Sequence, residues 1–379
     1  MKKKIIVVGL LPLNEAYKKR LFMYEFEKNK IEYEYWSLYY IFYKNEPVIY
    51  NRIIQKNEKI FKTKIELLNE IDKISIDSIF VKEGGIEKEI IDFYLKVFQK
   101  KIKIIFLKWG CTPQIDGKDL LKKRLKKLLN IKKVILHIRF LLKCQKLNWL
   151  SKYNEKNIKI LYAGIKFKDG ILKNKKIEKI AVMSEDLENY LKINDIEKEE
   201  NQIVFLDQDL PNHPDFDILG EKKINSKKYY KQLNNFFDYI EKIFSAKIII
   251  AAHPKSNYSL ETFNGRKIVK NQTATEIKKS KLILASYSTT IGLGTIENKA
   301  IILIENNDFS EFMKSKVKKI AEVLDIIIIN MDVFAYKNIP KLRINKEKYQ
   351  KYYNEYLGDG INLKSAKDSI LQFINGDKL

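Results

Sequence analysis

The chain has 379 residues, 45% of them hydrophobic, which is enough apolar material for two packed cores and excludes a disordered chain. Its 72 Lys and Arg against 48 Asp and Glu give a formal net charge of +24, which draws it toward polyanions: nucleic acid, an anionic membrane surface or phosphorylated substrates. The two cysteines, Cys111 and Cys144, lack metal-ligand spacing and fit a reducing compartment.

The basic start and short apolar run of KKIIVVGL superficially resemble a signal peptide. No small-residue cleavage site follows and charge resumes at once, so the run is expected to be a buried first strand. No stretch reaches the roughly 18–20 apolar residues of a membrane span. The expected location is cytoplasmic, with a peripheral position on the inner face of the cytoplasmic membrane open to it.

Further strands are predicted at SIDSIFVKE, KIKIIFLKWG, IKILYAGIK and KIAVM, then at QIVFLDQDL, KIIIAAHP, KLILASYS, AIILIEN and DIIIINM. Helix-period segments such as SKKYYKQLNNFFDYIEKIF and EFMKSKVKKIAEVL lie between them. Near-continuous apolar strands alternating with amphipathic helices imply parallel α/β sheets, here two doubly wound domains. The charged run Lys192 to Gln202 marks the expected boundary. That gives an N-terminal domain over 1–195, a second over 200–340, and C-terminal helices over 341–379 that pack back across the domains.

In the first half, KEGGIEKE places Gly84 and Gly85 between a strand and a helix, where a ligand can approach backbone or the chain simply turns. Trp109 ends a strand, available to stack on a sugar or buried as core. His137 lies within a helical segment and is expected to be structural. The stretch Lys122 to Leu150 interleaves basic and large apolar residues with no acid among them. It reads as a membrane-surface helix or as a buried helix with a basic outer face. No RNA-binding or helix-turn-helix signature supports nucleic acid.

The second half concentrates chemistry at three strand ends. VFLDQDLPNHPDFD holds Asp207, Asp209, His213, Asp215 and Asp217. Such acids can hold a divalent metal, serve as a general base, or form a solvated turn. Pro211 and Pro214 break any regular ligand spacing, so no metal is expected. AAHPKSNY puts His253 at the next strand end, with Pro254 redirecting the chain and Lys255 adding charge. ILASYSTTIGLG places the hydroxyls of Ser286, Ser288, Thr289 and Thr290 ahead of a helix. One hydroxyl would cap it; several suggest an anion site. There is no GxxxxGK[ST] phosphate loop.

With AAHPKS and SYSTT in that order, the stretch from Ile203 to Asn306 resembles the nucleotide-binding domain of GT-B glycosyltransferases. More narrowly, it resembles bacterial sialyltransferases and related capsule or lipooligosaccharide transferases. The resemblance implies two Rossmann-like domains facing a central cleft. It also implies that His253, Ser288 and Thr289 hold the phosphate of a CMP-linked donor, with Pro254, Lys255, Ser286 and Thr290 beside them. The implied reaction is inverting transfer of an acidic sugar, a sialic-acid-like nonulosonate or a 3-deoxy-octulosonate, to a glycan or lipid-linked acceptor without a cofactor. Gly84, Gly85, Trp109 and His213 are then acceptor-side candidates. The family's base motif, two acids followed by glycine, is absent from LDQDLPNHPDF, so Asp207 or Asp209 is expected as base. Teichoic-acid polymerases carry similar elements, which keeps a CDP-glycerol or CDP-ribitol donor as an alternative. A non-enzymatic polyanion- or membrane-binding protein is the third.

Overall fold

The computed structural model describes residues 4–43, 57–109, 112–113, 131–193, 201–213, 223–333, 339–358 and 363–376. The chain forms two compact units. The first comprises Met1–Trp109, Asp116–Ser184 and Gly358–Leu379; the second comprises Gly110–Ile115 and Glu185–Leu357. The division between them thus falls at Ser184, ahead of the charged run expected to mark it. Residues 194–200 of that run lie outside the described residues.

Unit 1 carries a seven-stranded parallel sheet in the order β3-β2-β1-β4-β5-β6-β7. Its strands are β1 (Ile5–Gly9), β2 (Tyr33–Ser37), β3 (Glu58–Ile60), β4 (Ile79–Glu83), β5 (Lys103–Lys108), β6 (Ile158–Tyr162) and β7 (Glu178–Ala181). Successive side chains of a strand point to opposite faces, and both faces are covered. Ile6, Val8, Phe80 and Phe106 enter one core, while Ile5, Val7, Val81 and Leu107 enter the other. The last helix, Ala366–Asn375, lays Ala366, Ile370, Phe373 and Ile374 onto this second face. The C-terminal stretch is therefore split: helix Lys346–Tyr352 belongs to unit 2 and helix Ala366–Asn375 to unit 1.

Unit 2 carries a six-stranded parallel sheet in the order β10-β9-β8-β11-β12-β13. These strands are β8 (Gln202–Leu206), β9 (Lys247–Ala252), β10 (Ile268–Lys270), β11 (Leu282–Ala285), β12 (Ala300–Glu305) and β13 (Ile327–Asn330). Helix Ser226–Phe244 starts where the Asn225 side chain accepts the Lys228 N–H (3.0 Å) and stops at Ser245 in the left-handed region (φ 46°). Tyr229, Leu233, Phe236, Phe237 and Ile240 form its buried stripe. The short helix Ile291–Ile296 lies close on the sheet. A Cβ on Gly294 would meet the end of the Ile283 side chain, which would have to shift to make room.

Both sheets run outward from their first strand on one side and then resume from it on the other. The connection reverses between β1 and β4 in unit 1 and between β8 and β11 in unit 2. Ligands of open parallel sheets sit at such a reversal, beyond the carboxyl ends of the strands.

Candidate functional site

At the reversal in unit 2 the three expected clusters meet. Leu206 pairs with Ala251 on one side and with Ala285 on the other, so the loops after β8, β9 and β11 leave the sheet at one level. Asp207, His253 and Ser286 open those loops.

Asp207 is buried and ties the first two loops together. Its Oδ2 accepts the His253 backbone N–H (3.1 Å) and the Tyr258 hydroxyl (2.8 Å), and its Oδ1 accepts the Asp209 N–H (3.0 Å). Burial pushes its carboxyl up to about 6, against the pull of these three donors. At neutral pH it is mainly a carboxylate committed to donors inside the protein. Its oxygens hold the His253 and Asp209 backbone in place.

Asp209 sits in the left-handed region (φ 47°), which turns the chain sharply after Gln208. Its hydrogen bonds, from the Asn212 amide (2.8 Å) and the Tyr230 hydroxyl (3.2 Å), both fall on Oδ1. The spacer residue Gln208 reaches the third loop, its Oε1 accepting the Tyr287 N–H (3.0 Å). Of the acids named in this loop, Asp215 and Asp217 lie outside the described residues.

His253 is half-buried, and its ring lies 5.3 Å from that of His213. Burial, with the neighbouring His213 and Lys255, lowers it to about 4, so it is neutral at physiological pH. Its Nδ1 accepts the Lys255 N–H (3.3 Å), which places the ring proton on Nε2 as a hydrogen-bond donor. Ser256 closes the turn onto the His253 carbonyl through its N–H (2.9 Å) and hydroxyl (2.7 Å), so it shapes the loop. Pro254 and Lys255 are exposed at its tip.

In the third loop Ser288 and Thr290 hydroxyls bond each other (2.8 Å), and Ser288 Oγ accepts the Thr290 N–H (3.4 Å). Thr289 is exposed. The helix that follows has only six residues, so its dipole adds little, and the hydroxyls carry the anion reading. Ser286 differs from its neighbours. It is 2% exposed and its buried Oγ has no hydrogen-bond partner among the described residues. A buried, unmatched hydroxyl is costly unless something else pairs with it.

Tyr258 and Tyr230 were not legible as site residues, although AAHPKSNY ends on one of them. Their rings pack with Phe263 at 4.9 and 5.5 Å, and burial beside the Asp207 charge keeps both phenols protonated as donors.

The acceptor-side candidates are divided. His213 lies in unit 2 beside His253. Gly84, Gly85 and Trp109 lie in unit 1, at the carboxyl ends of β4 and β5. Gly84 is in the left-handed region (φ 87°) and donates its N–H to Leu107 (2.7 Å). Trp109 is 7% exposed and packs edge-on against Phe22 at 5.7 Å, so it is a core residue and not a stacking platform. Around Gly84 and Gly85 the charges are paired. Lys82, fully buried, bonds Glu87 (2.8 Å), the Tyr94 hydroxyl also donates to Glu87, and Arg20 pairs with Glu83. His137 is exposed on its helix.

No family model matches the chain, and no curated protein matches it. Among solved structures it is similar to MurG of Acinetobacter baumannii, at 10% identity over 99% of this chain and 100% of that one, with a TM-score of 0.47. It is similar to UDP-GlcNAc 2-epimerase from Methanocaldococcus jannaschii at 14% identity, 99% and 100% coverage and a TM-score of 0.43. It is similar to the H444N variant of the wall teichoic acid polymerase TagF at 12% identity, 99% and 88% coverage and a TM-score of 0.46. Likenesses this distant assign neither a family nor a substrate.

Proposed function

We propose that unit 2 grips the phosphate of a nucleotide-activated sugar and that the chain is an inverting glycosyltransferase. Its donor is a CMP-linked acidic sugar and its acceptor a cell-surface glycan or lipid-linked glycan. The observation that carries this reading is the convergence of His253 and the Ser286–Thr290 hydroxyls on the reversal between β8 and β11. Asp207 and Gln208 tie the loops there, and Ser286 Oγ is buried with no hydrogen-bond partner among the described residues.

In the proposed step, the anomeric carbon–oxygen bond to phosphate breaks and its electron pair stays on the departing CMP. His253 Nε2–H and the hydroxyls of Ser288 and Thr289 donate to the charge that grows there. The acceptor oxygen bonds the anomeric carbon and its proton passes to a carboxylate. No metal is needed for a monophosphate leaving group in this reading.

A carboxylate of the same unit can take that proton. Asp209 has Oδ2 outside its own hydrogen bonds. Asp209→Asn is expected to lose transfer and keep CMP binding; transfer retained in that variant would reject the role.

The experiment that tests the function is donor turnover. The purified chain is incubated with CMP-sialic acid and, separately, with CDP-glycerol, and CMP release is measured. Release from the first supports the reading. Release from CDP-glycerol alone would replace it with polyol-phosphate transfer, and release from neither would reject the sialic-acid donor.

A further inference from the structure

Helix Ile131–Tyr153 of unit 1 has 23 residues, six of them basic and none acidic. One side packs inward. Leu147 and Ser151 are buried, Lys143 bonds Asp92 (2.6 Å), and Lys88 sits over the Phe140 ring at 5.3 Å. The opposite side does what an ordinary solvent face does not. Ile135, Ile138, Leu141, Leu142, Trp149 and Tyr153 are all exposed, Leu142 by 58%, Trp149 by 55% and Tyr153 by 64%. The spacing 135, 138, 142, 149, 153 lines five of them up as one stripe along a helix, with Leu141 beside it and Leu136, also exposed, off it. Trp149 and Tyr153 meet edge to face at its end, 4.9 Å between centroids. Arg139, Lys146 and Lys152 are exposed along the same side.

We infer that this face docks the protein on an anionic glycerophospholipid surface. Apolar side chains in a row need an apolar environment, and the basic residues interleaved with them need anions; the boundary of an anionic bilayer supplies both. A second copy of the chain fits worse, because a self-paired stripe sets Arg and Lys against Arg and Lys with no acid on the helix to offset them. Nucleic acid answers the charges and leaves the large apolar side chains in water. Among the described residues no helix is long and apolar enough to cross a membrane, so the helix lies on the surface. Aromatic residues with a polar edge, such as Trp149 and Tyr153, settle at that level of a bilayer.

The test is co-sedimentation of the full chain with vesicles of phosphatidylcholine alone and of phosphatidylcholine mixed with phosphatidylglycerol. Binding to the anionic vesicles, weakened by salt, is expected, with little to the neutral ones. The variant Arg139→Gln/Lys146→Gln/Lys152→Gln is expected to weaken partitioning on the order of a hundred-fold. The variant Ile138→Gln/Leu142→Gln/Trp149→Gln should abolish it. All six side chains are exposed, so the thermal midpoint of both variants should match the parent. Absence of binding to anionic vesicles overturns the inference, as does binding that neither variant weakens. A concentration-dependent dimer that only the apolar variant dissolves, in a protein indifferent to vesicles, would assign the face to a second copy instead. None of these readouts depends on the donor.

Discussion

The two sheets share one topology at their reversals and differ in what they place there. In unit 1 the charges beyond β4 are matched within the protein: Lys82 with Glu87, Arg20 with Glu83, and the Tyr94 hydroxyl on Glu87. In unit 2 the groups beyond β8, β9 and β11 are only partly matched. Among the described residues His253 Nε2–H lies outside its own hydrogen bonds, and Ser286 Oγ has no hydrogen-bond partner. A saturated network stabilises a loop, whereas an unsaturated one is what the proposed phosphate site requires.

The strongest way to break the comparison is Lys82→Met. Removing one partner of a buried pair should cost unit 1 about 4 kcal/mol. Denaturant unfolding should show the loss while CMP affinity in unit 2 stays unchanged; a fall in CMP affinity would merge the two roles. Asp207→Ala comes next. Three donors lose their acceptor, for about 3 kcal/mol of stability, and the His253 loop loosens, so calorimetric CMP binding should vanish although Asp207 touches no ligand.

Asp207 also gives a pH signature. Its folded value of about 6 lies above the ordinary 3.8, so the folded state holds the proton more tightly. The stabilisation from this group is complete below about 3.8 and is lost as pH rises through about 6, roughly 3 kcal/mol in total. The stability difference between the parent and Asp207→Asn should shrink across that window; a flat difference would contradict the raised value. The smallest effect belongs to Ser286→Ala. A buried unmatched hydroxyl costs stability, so its removal should raise stability by about 1 kcal/mol while CMP affinity falls about five-fold. A large loss of stability would show that Ser286 is structural.

The parts of the fold written in local pattern were legible. The aliphatic strands read directly, and so did helices Ser226–Phe244 and Glu311–Leu324, whose caps and apolar stripes coincide. Strand β2 escaped because YEYWS carries Glu34 in its middle. Lys4, Lys59 and the Trp36 indole N–H satisfy that charge, and none is predictable from the stretch itself. Strands β3 and β10 have three residues each, too short for periodicity. At the site, the strand-end positions of His253 and the hydroxyls were readable. The roles of Asp207, Gln208 and Tyr258 were not, because each is defined by a partner 46 to 79 residues away. Trp109 shows the same limit: a strand-end aromatic looks the same in sequence whether it is core or platform.

The central claim is that the unit 2 loops hold a phosphate through His253, and calorimetric titration of His253→Ala with CMP and with cytidine tests it most directly. One charge-assisted hydrogen bond corresponds to about 2 kcal/mol, so CMP affinity should fall about 30-fold while cytidine, which lacks the phosphate, binds as it does to the parent. A variant that binds CMP as tightly as the parent would contradict the account.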